Sequence, residues 1–160
     1  MENMEIERRF LVEQLPEQLD TVPHKRFEQG YLSTAPVLRV RREGDEYVFT
    51  YKGQGGLARE EVNLPLNPEA YAHLIQKADG LIIQKTRYFL TQESGLLIEM
   101  DLFEGDLYPL KIAEVEFSSV EEAHSYQPED WFGEEITGDH RFSNSAMSRE
   151  GLPEEYLQKR

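Results

Sequence analysis

Glu5-Ile6-Glu7-Arg8-Arg9-Phe10-Leu11-Val12 is the stretch whose reading decides the fold. In a β-strand, side chains alternate between two faces. Glu5, Glu7 and Arg9 then share one face, and Ile6, Arg8 and Phe10 the other. Taken alone, two carboxylates and a guanidinium in a row also describe the wet face of an edge strand, because charged side chains are seldom buried. The recurrence of the arrangement along the chain separates the two readings.

Working outward, extended runs with the same alternation follow one another. Phe27 to Ser33 sets Gln29 and Tyr31 against Gly30 and Leu32. Val37 to Arg42 sets Arg39 and Arg41 against Leu38 and Val40, and the turn Glu43-Gly44-Asp45 makes a hairpin with Tyr47 to Lys52, where Val48, Thr50 and Lys52 align. Arg59, Glu61 and Asn63 share a face after the flexible Gly53-Gln54-Gly55-Gly56, and Ile83, Lys85 and Arg87 share another. Ser94-Gly95 turns the chain into a strand pairing Glu99 with Asp101, and Glu104-Gly105-Asp106 into one pairing Glu114 with Glu116. Asn67-Pro68-Glu69 is a helix start, with a capping side chain, proline at the first position and an acid in the first turn. That helix is expected to reach about Ala78. A short turn or loop is expected within Gln14 to Val22, a capping-box helix after Ser119-Val120-Glu121-Glu122, an extended piece around Glu135-Ile136-Thr137, and further helices after Ser143 and Pro153.

At 160 residues, with no repeat, linker or low-complexity tract, the chain is expected to form a single domain spanning 1–160. The 39% hydrophobic and 30% charged composition describes a soluble globular protein, and the acidic N-terminus with no long apolar run predicts a cytoplasmic one without membrane partners. With no cysteine and four scattered histidines, any metal is expected to be a hard cation held by oxygen. The net charge of −14 argues against a nucleic-acid partner, which needs a basic footprint.

The charge is not evenly spread. The aligned strand positions hold seven basic and seven acidic residues, so the remaining 10 basic and 24 acidic residues carry the whole −14. The opposite faces carry Ile6, Phe10, Leu38, Val40, Phe49, Tyr51, Val62, Leu64, Ile98, Met100, Leu102, Ala113, Val115 and Phe117, all expected to be buried under short helices. Two architectures accommodate this: a sheet with its charged face in solvent, or a closed antiparallel barrel with charge inside. Short hairpins and strongly twisted strands favour closure, which removes sheet edges. A charged interior needs a wet channel and a charged occupant, or else a network of internal ion pairs. An occupant that satisfies both basic and acidic rows is a polyphosphate with a divalent cation.

The same residues carry a family resemblance. Glu5-Ile6-Glu7-Arg8-Arg9 resembles the ExExK signature of the CYTH, or triphosphate tunnel metalloenzyme, superfamily. The resemblance continues through Gln29-Gly30-Tyr31-Leu32, Arg39-Val40-Arg41, Thr50-Tyr51-Lys52-Gly53, Arg59-Glu60-Glu61, Lys85-Thr86-Arg87-Tyr88, Glu99-Met100-Asp101-Leu102-Phe103, Glu114-Val115-Glu116, Trp131-Phe132-Gly133 and Glu135-Ile136-Thr137-Gly138-Asp139. It implies an α+β fold built on a closed eight-stranded antiparallel barrel, and a short bacterial inorganic triphosphatase cleaving tripolyphosphate with Mg²⁺ or Mn²⁺. It also implies roles: Arg39, Arg41, Lys52, Arg59, Lys85 and Arg87 would bind the small anionic triphosphate; Glu5, Glu7, Glu99, Asp101, Glu114 and Glu116 would hold metal; Glu5, Glu7, Arg9 and Lys85 would be catalytic. Glu61 would organise the bases, and Tyr31 would reach phosphate or simply pack. A class IV adenylate cyclase, a nucleoside or thiamine triphosphatase, a non-catalytic polyphosphate binder and a homodimer stay open. Arg9 departs from the family's lysine; it keeps the charge but accepts no proton.

Overall fold

The computed structural model describes residues 4–17, 19–55 and 57–158. Nine strands form in the order of the alternating runs: β1 (Met4–Val12), β2 (His24–Thr34), β3 (Val37–Glu43), β4 (Glu46–Lys52), β5 (Ala58–Leu66), β6 (Asp79–Thr91), β7 (Leu97–Phe103), β8 (Lys111–Glu116) and β9 (Phe132–Glu135). The helices are short: α1 (Pro68–Ile75), α2 (Val120–Ser125), α3 (Asn144–Glu150) and α4 (Glu154–Gln158). None is long and apolar enough to cross a membrane among the described residues. The expected start signals act as such. Asn67 accepts from the Ala70 N–H at 2.7 Å, and Ser119 from the Glu122 N–H at 3.0 Å, each satisfying a donor that the first helical turn leaves unpaired. The first helix ends three residues before Ala78, because Asp79 already belongs to β6.

The strands are antiparallel and run β5-β4-β3-β2-β6-β7-β8-β1, and β5 pairs back onto β1, which closes an eight-stranded barrel. β1 makes that closure possible by dividing one edge. Met4 to Ile6 pair with β5, whereas Phe10 to Val12 pair with β9, while Glu7 to Leu11 pair with β8 on the other side. β9 is thus an extra strand that accompanies β1 after it leaves β5.

Alternation places the charged rows inside, as expected, but the division of apolar residues differs from expectation in two respects. First, half of the core lies within the barrel. Leu11, Val37, Ile83, Phe103 and Ile112 form one buried cluster with Phe142 and with Met147 of α3. Each of these five strand residues stands two positions from a charged one, namely Arg9, Arg39, Lys85, Asp101 and Glu114. The inward faces therefore change from charged to apolar at one end of the barrel, where α3 packs against the end rather than on the outside. Gly80 permits that approach: its φ is +72°, and a Cβ there would lie 2.2 Å from the Ser148 carbonyl oxygen. Second, the outer face is covered unevenly. Ile98, Met100, Ala113, Val115 and Phe117 are buried with Ala123 of α2, but Leu64 is 54% exposed, and Leu38, Phe49, Tyr51 and Val62 are only half-buried. The single short helix α1 on that side is too small to cover β3 to β5.

Candidate active site

The barrel order sorts the interior charge into two walls. β7, β8, β1 and β5 are consecutive around the ring and bring Glu99, Glu114, Glu116, Glu5, Glu7 and Glu61 inward; β4, β3 and β6, with β2 between the last two, bring Lys52, Arg39, Arg41, Lys85 and Arg87. Arg9 and Arg59 are the basic residues that stand among the acids. All of these side chains line one cavity of about 390 Å³. Among the expected site residues, only Asp101 does not line it. Asp101 is fully buried behind the cavity wall, with Lys85 Nζ at 2.8 Å and Arg87 Nε at 2.7 Å from its two oxygens. Its carboxylate is engaged in holding two cations, which separates it from the other acids expected to hold metal.

Most of the inward charges are ion-paired, but not all. Lys52 lies 3.1 Å from Glu5 and 3.6 Å from Glu61, Arg9 3.4 Å from Glu114, and Arg87 3.3 Å from Glu99. Arg41 is paired at 2.7 Å with Glu43, the next inward residue of β3. Arg39 and Arg59 have no ion-pair partner among the described residues, and neither do Glu7 and Glu116. Three guanidinium nitrogens, Arg9 Nη2, Arg39 Nε and Arg59 Nε, are buried without a hydrogen-bond partner among the described residues. An orphaned charged donor is costly, and several in one cavity point to an anion that accepts from them.

Protonation reports the same imbalance from the acidic wall. Burial lifts the Glu5 carboxyl to about 7, assisted by its hydrogen bond with Glu61 and by repulsion from Glu61 and Glu114 against the pull of Lys52. Burial, followed by Glu114 and Glu5, also holds the Glu7 carboxyl well above the usual carboxylate range. Burial likewise opposes ionisation of Glu61 and Glu114, but a hydrogen bond from Glu5 and the charge of Lys52 bring Glu61 down to about 2, and Arg9, Arg87 and Lys85 hold Glu114 low. Burial raises Glu99 and Glu116 as well. Burial and neighbouring carboxylates thus favour the protonated form of both β1 glutamates, Glu5 beside Glu61 and Glu7 beside Glu114. On the basic wall, burial pulls Lys85 down to about 7, with Arg87 and Arg41 repelling its charge and Asp101 supporting it; burial and Arg39 bring Arg41 to about 10.

No three acidic or histidine side chains among the described residues converge closely enough to form a ready cation site. The donor chemistry nonetheless fits a hard divalent ion: carboxylates alone, without sulfur or imidazole, and two of them holding protons that a cation would displace.

A second set of lining residues comes from the segment after β9: Gly138, Asp139, His140, Ser143, Asn144 and Ser145. Asn144 Oδ1 accepts from Lys85 Nζ at 3.4 Å. Sequence reasoning does not assign these residues to the site, since no alternation marks a loop. Tyr31 also lines the cavity, with its hydroxyl accepting from Gln29 at 3.1 Å.

A family model for the CYTH domain matches residues 3–147. The chain belongs to the CYTH family. Within the family, it is 41% identical over 148 residues to an inorganic triphosphatase of Nitrosomonas europaea, covering 90% of this chain and 96% of that protein. It is 34% identical over 126 residues to an inorganic triphosphatase of Acetivibrio thermocellus, covering 76% and 78%. Its fold matches the crystal structure of the inorganic triphosphatase NE1496 with a TM-score of 0.70 at 36% identity, covering 93% of this chain and 97% of that one. The CYTH barrel expected from alternation and from the signature is therefore the fold observed.

Proposed function

We propose that this protein hydrolyses inorganic triphosphate to pyrophosphate and phosphate with a divalent cation, Mg²⁺ or Mn²⁺. The observation that carries the reading is the meeting, within one cavity, of orphaned guanidinium donors with a wall of carboxylates in which Glu7 and Glu116 have no ion-pair partner among the described residues. The cavity is short of an anion on one side and of a cation on the other. A triphosphate with its metal supplies both. The lining includes Tyr31, Val37 and His140 but no broad aromatic surface for a nucleobase, which supports the inorganic substrate, as do the two curated relatives. The net charge of −14 favours a small anion drawn into a local basic cavity over nucleic acid.

In this reading Arg39, Arg41, Lys52, Arg59, Lys85 and Arg87, with Arg9, receive the phosphate oxygens. Glu5, Glu7, Glu114, Glu116 and Glu99 would hold the cation, which neutralises phosphate charge and lowers the pKa of a bound water. The water oxygen bonds to the terminal phosphorus as the bridging P–O bond breaks, and charge spreads over oxygens already faced by fixed cations, so positioning and electrostatics supply most of the catalysis. Lys85, with its pKa near 7, can hand a proton to the departing pyrophosphate oxygen. Asp101 and Asn144 hold that lysine in place.

The test is a phosphate-release panel of tripolyphosphate, ATP, thiamine triphosphate and longer polyphosphate, each with Mg²⁺, Mn²⁺ or chelator. Fastest release from tripolyphosphate, lost with chelator and in Glu7→Gln, is expected. Equal turnover in chelator, or cyclic AMP and pyrophosphate from ATP as the main products, overturns the reading.

A further inference from the structure

β2 occupies the middle of the basic wall without bringing a charge to it. By alternation Lys25, Phe27, Gln29 and Tyr31 share its inward face, of which Lys25, opposite Arg87, is exposed and outside the cavity lining; β2 lies between β3 and β6, the strands that carry Arg41 and Arg87. The Phe27 ring is 2% exposed, yet it belongs to neither of the two apolar clusters. Its neighbours are cations. The guanidinium carbon of Arg41 lies 4.8 Å from the ring centroid, and that of Arg87 also lies 4.8 Å from it, each arriving from a strand that flanks β2.

An ordinary core phenylalanine gains from aliphatic neighbours; this one is placed where the electron-rich ring face meets two like charges. Arg41 and Arg87 carry like charges within contact of the same ring and so repel one another. Glu43 binds one edge of Arg41, which leaves that guanidinium plane free to turn about the edge, whereas Arg87 is held on one edge by Asp101 and at Nη1 by Glu99 at 3.3 Å. A ring in contact with both guanidiniums restrains the Arg41 plane against the fixed Arg87 without adding a carboxylate that would compete with phosphate for the same donors.

We propose that Phe27 is a positioning residue, which clamps the guanidinium plane of Arg41 against the fixed Arg87 by cation–π contact so that both face the substrate. The proposal rests on the reading of the cavity as a triphosphate site.

The test compares wild type with Phe27→Leu and with pentafluorophenylalanine incorporated at position 27. The latter keeps the ring's shape while inverting the charge distribution of its face. Two buried contacts of this kind together amount to about tenfold in substrate affinity, so KM for tripolyphosphate should rise about tenfold in both variants, with kcat within about twofold. Their melting temperatures report folding separately. A second readout does not depend on turnover: the Nε–H resonances of Arg41 and Arg87, assigned with Arg41→Lys and Arg87→Lys, should shift when Phe27→Leu removes the ring. An active wild type whose KM is unchanged by the fluorinated ring overturns the proposal, as do arginine resonances that stay in place in Phe27→Leu. An inactive wild type whose arginine resonances do move supports the clamp and overturns the hydrolase reading instead.

Discussion

Glu5→Gln should make the metal-free protein more stable at pH 8, although it removes an ion pair. Glu5 has a side chain only 12% exposed, and its carboxyl is lifted from 4.5 to about 7, chiefly by burial. A group whose pKa is higher in the fold than in the unfolded chain stabilises the fold fully below the lower value, and loses that contribution as pH rises through the higher one. The window here is pH 4.5 to 7. Above it, holding Glu5 ionised in the folded barrel costs roughly 3 kcal/mol relative to the acid side, at about 1.4 kcal/mol per pH unit. Glutamine keeps the shape and a hydrogen bond but cannot ionise. It forgoes the 3.1 Å contact with Lys52, which retains Glu61 at 3.6 Å, so the net gain should fall to about 1–2 kcal/mol, or roughly 2–8 °C in melting temperature for a domain of this size. The assay is thermal and urea unfolding of wild type and variant with EDTA at pH 5 and pH 8. The variant should be the more stable at pH 8 and lose that advantage at pH 5, where Glu5 is largely protonated. A variant less stable than wild type at pH 8 would refute the assignment of the acidic wall as electrostatically strained.

The remaining expectations concern other parts of the barrel. Asp101→Asn leaves Lys85 and Arg87 buried beside a neutral amide and should cost roughly 3–5 kcal/mol in urea unfolding; a loss below about 1 kcal/mol would show that the pair is not what holds these cations. Lys85 is protonated only below about 7 in the free cavity, so KM for tripolyphosphate should climb as pH rises from 7 to 9, while Lys85→Met should give a high KM with no such slope. Met147, fully buried in the apolar end of the barrel, should cost about 2–5 kcal/mol when replaced by alanine, measured by urea unfolding; an effect near zero would mean that α3 does not seal that end.

Much of the fold was legible because a barrel imposes the shortest period a chain can have. Every second residue faces inward, so Glu5-Ile6-Glu7-Arg8-Arg9 already states which side chains share the cavity, and the same count continued along β3, β4, β5, β6, β7 and β8 collects the two charged walls. What the count leaves open is depth. Asp101 and Glu99 share a face, yet one is sealed behind Lys85 and Arg87 and the other borders the cavity, because depth depends on strand tilt and on the reach of neighbouring side chains. Glu43 follows Arg41 by two residues, so one further step of alternation reaches the acid that fixes it. The apolar closure of one end was equally present in Leu11, Ile83 and Ile112, each two residues from a charge, but only the packing of Phe142 and Met147 against them reveals a plug. Asn144, at the start of α3, and His140, in the turn before it, follow no strand period and enter the site from the segment after β9.

A wall made only of cations would disperse, and one in which every cation is neutralised by an acid would have nothing left for phosphate. Between β3 and β6 the chain resolves this with a strand whose buried inward residues, Phe27, Gln29 and Tyr31, carry no charge. Phe27 contacts two guanidiniums, while acids reach the basic wall at Arg41 through Glu43, at Lys85 and Arg87 through Asp101, at Arg87 through Glu99 and at Lys52 through Glu5 and Glu61. Across the barrel the acids of β1 and β8 stand next to one another, and protons relieve them in the absence of a cation. The folded state therefore keeps two incompletely compensated walls facing each other, each made tolerable in part by a neutral device, a ring on one side and protonation on the other. A metal-bound polyphosphate would relieve both at once, so binding of either component should strengthen binding of the other.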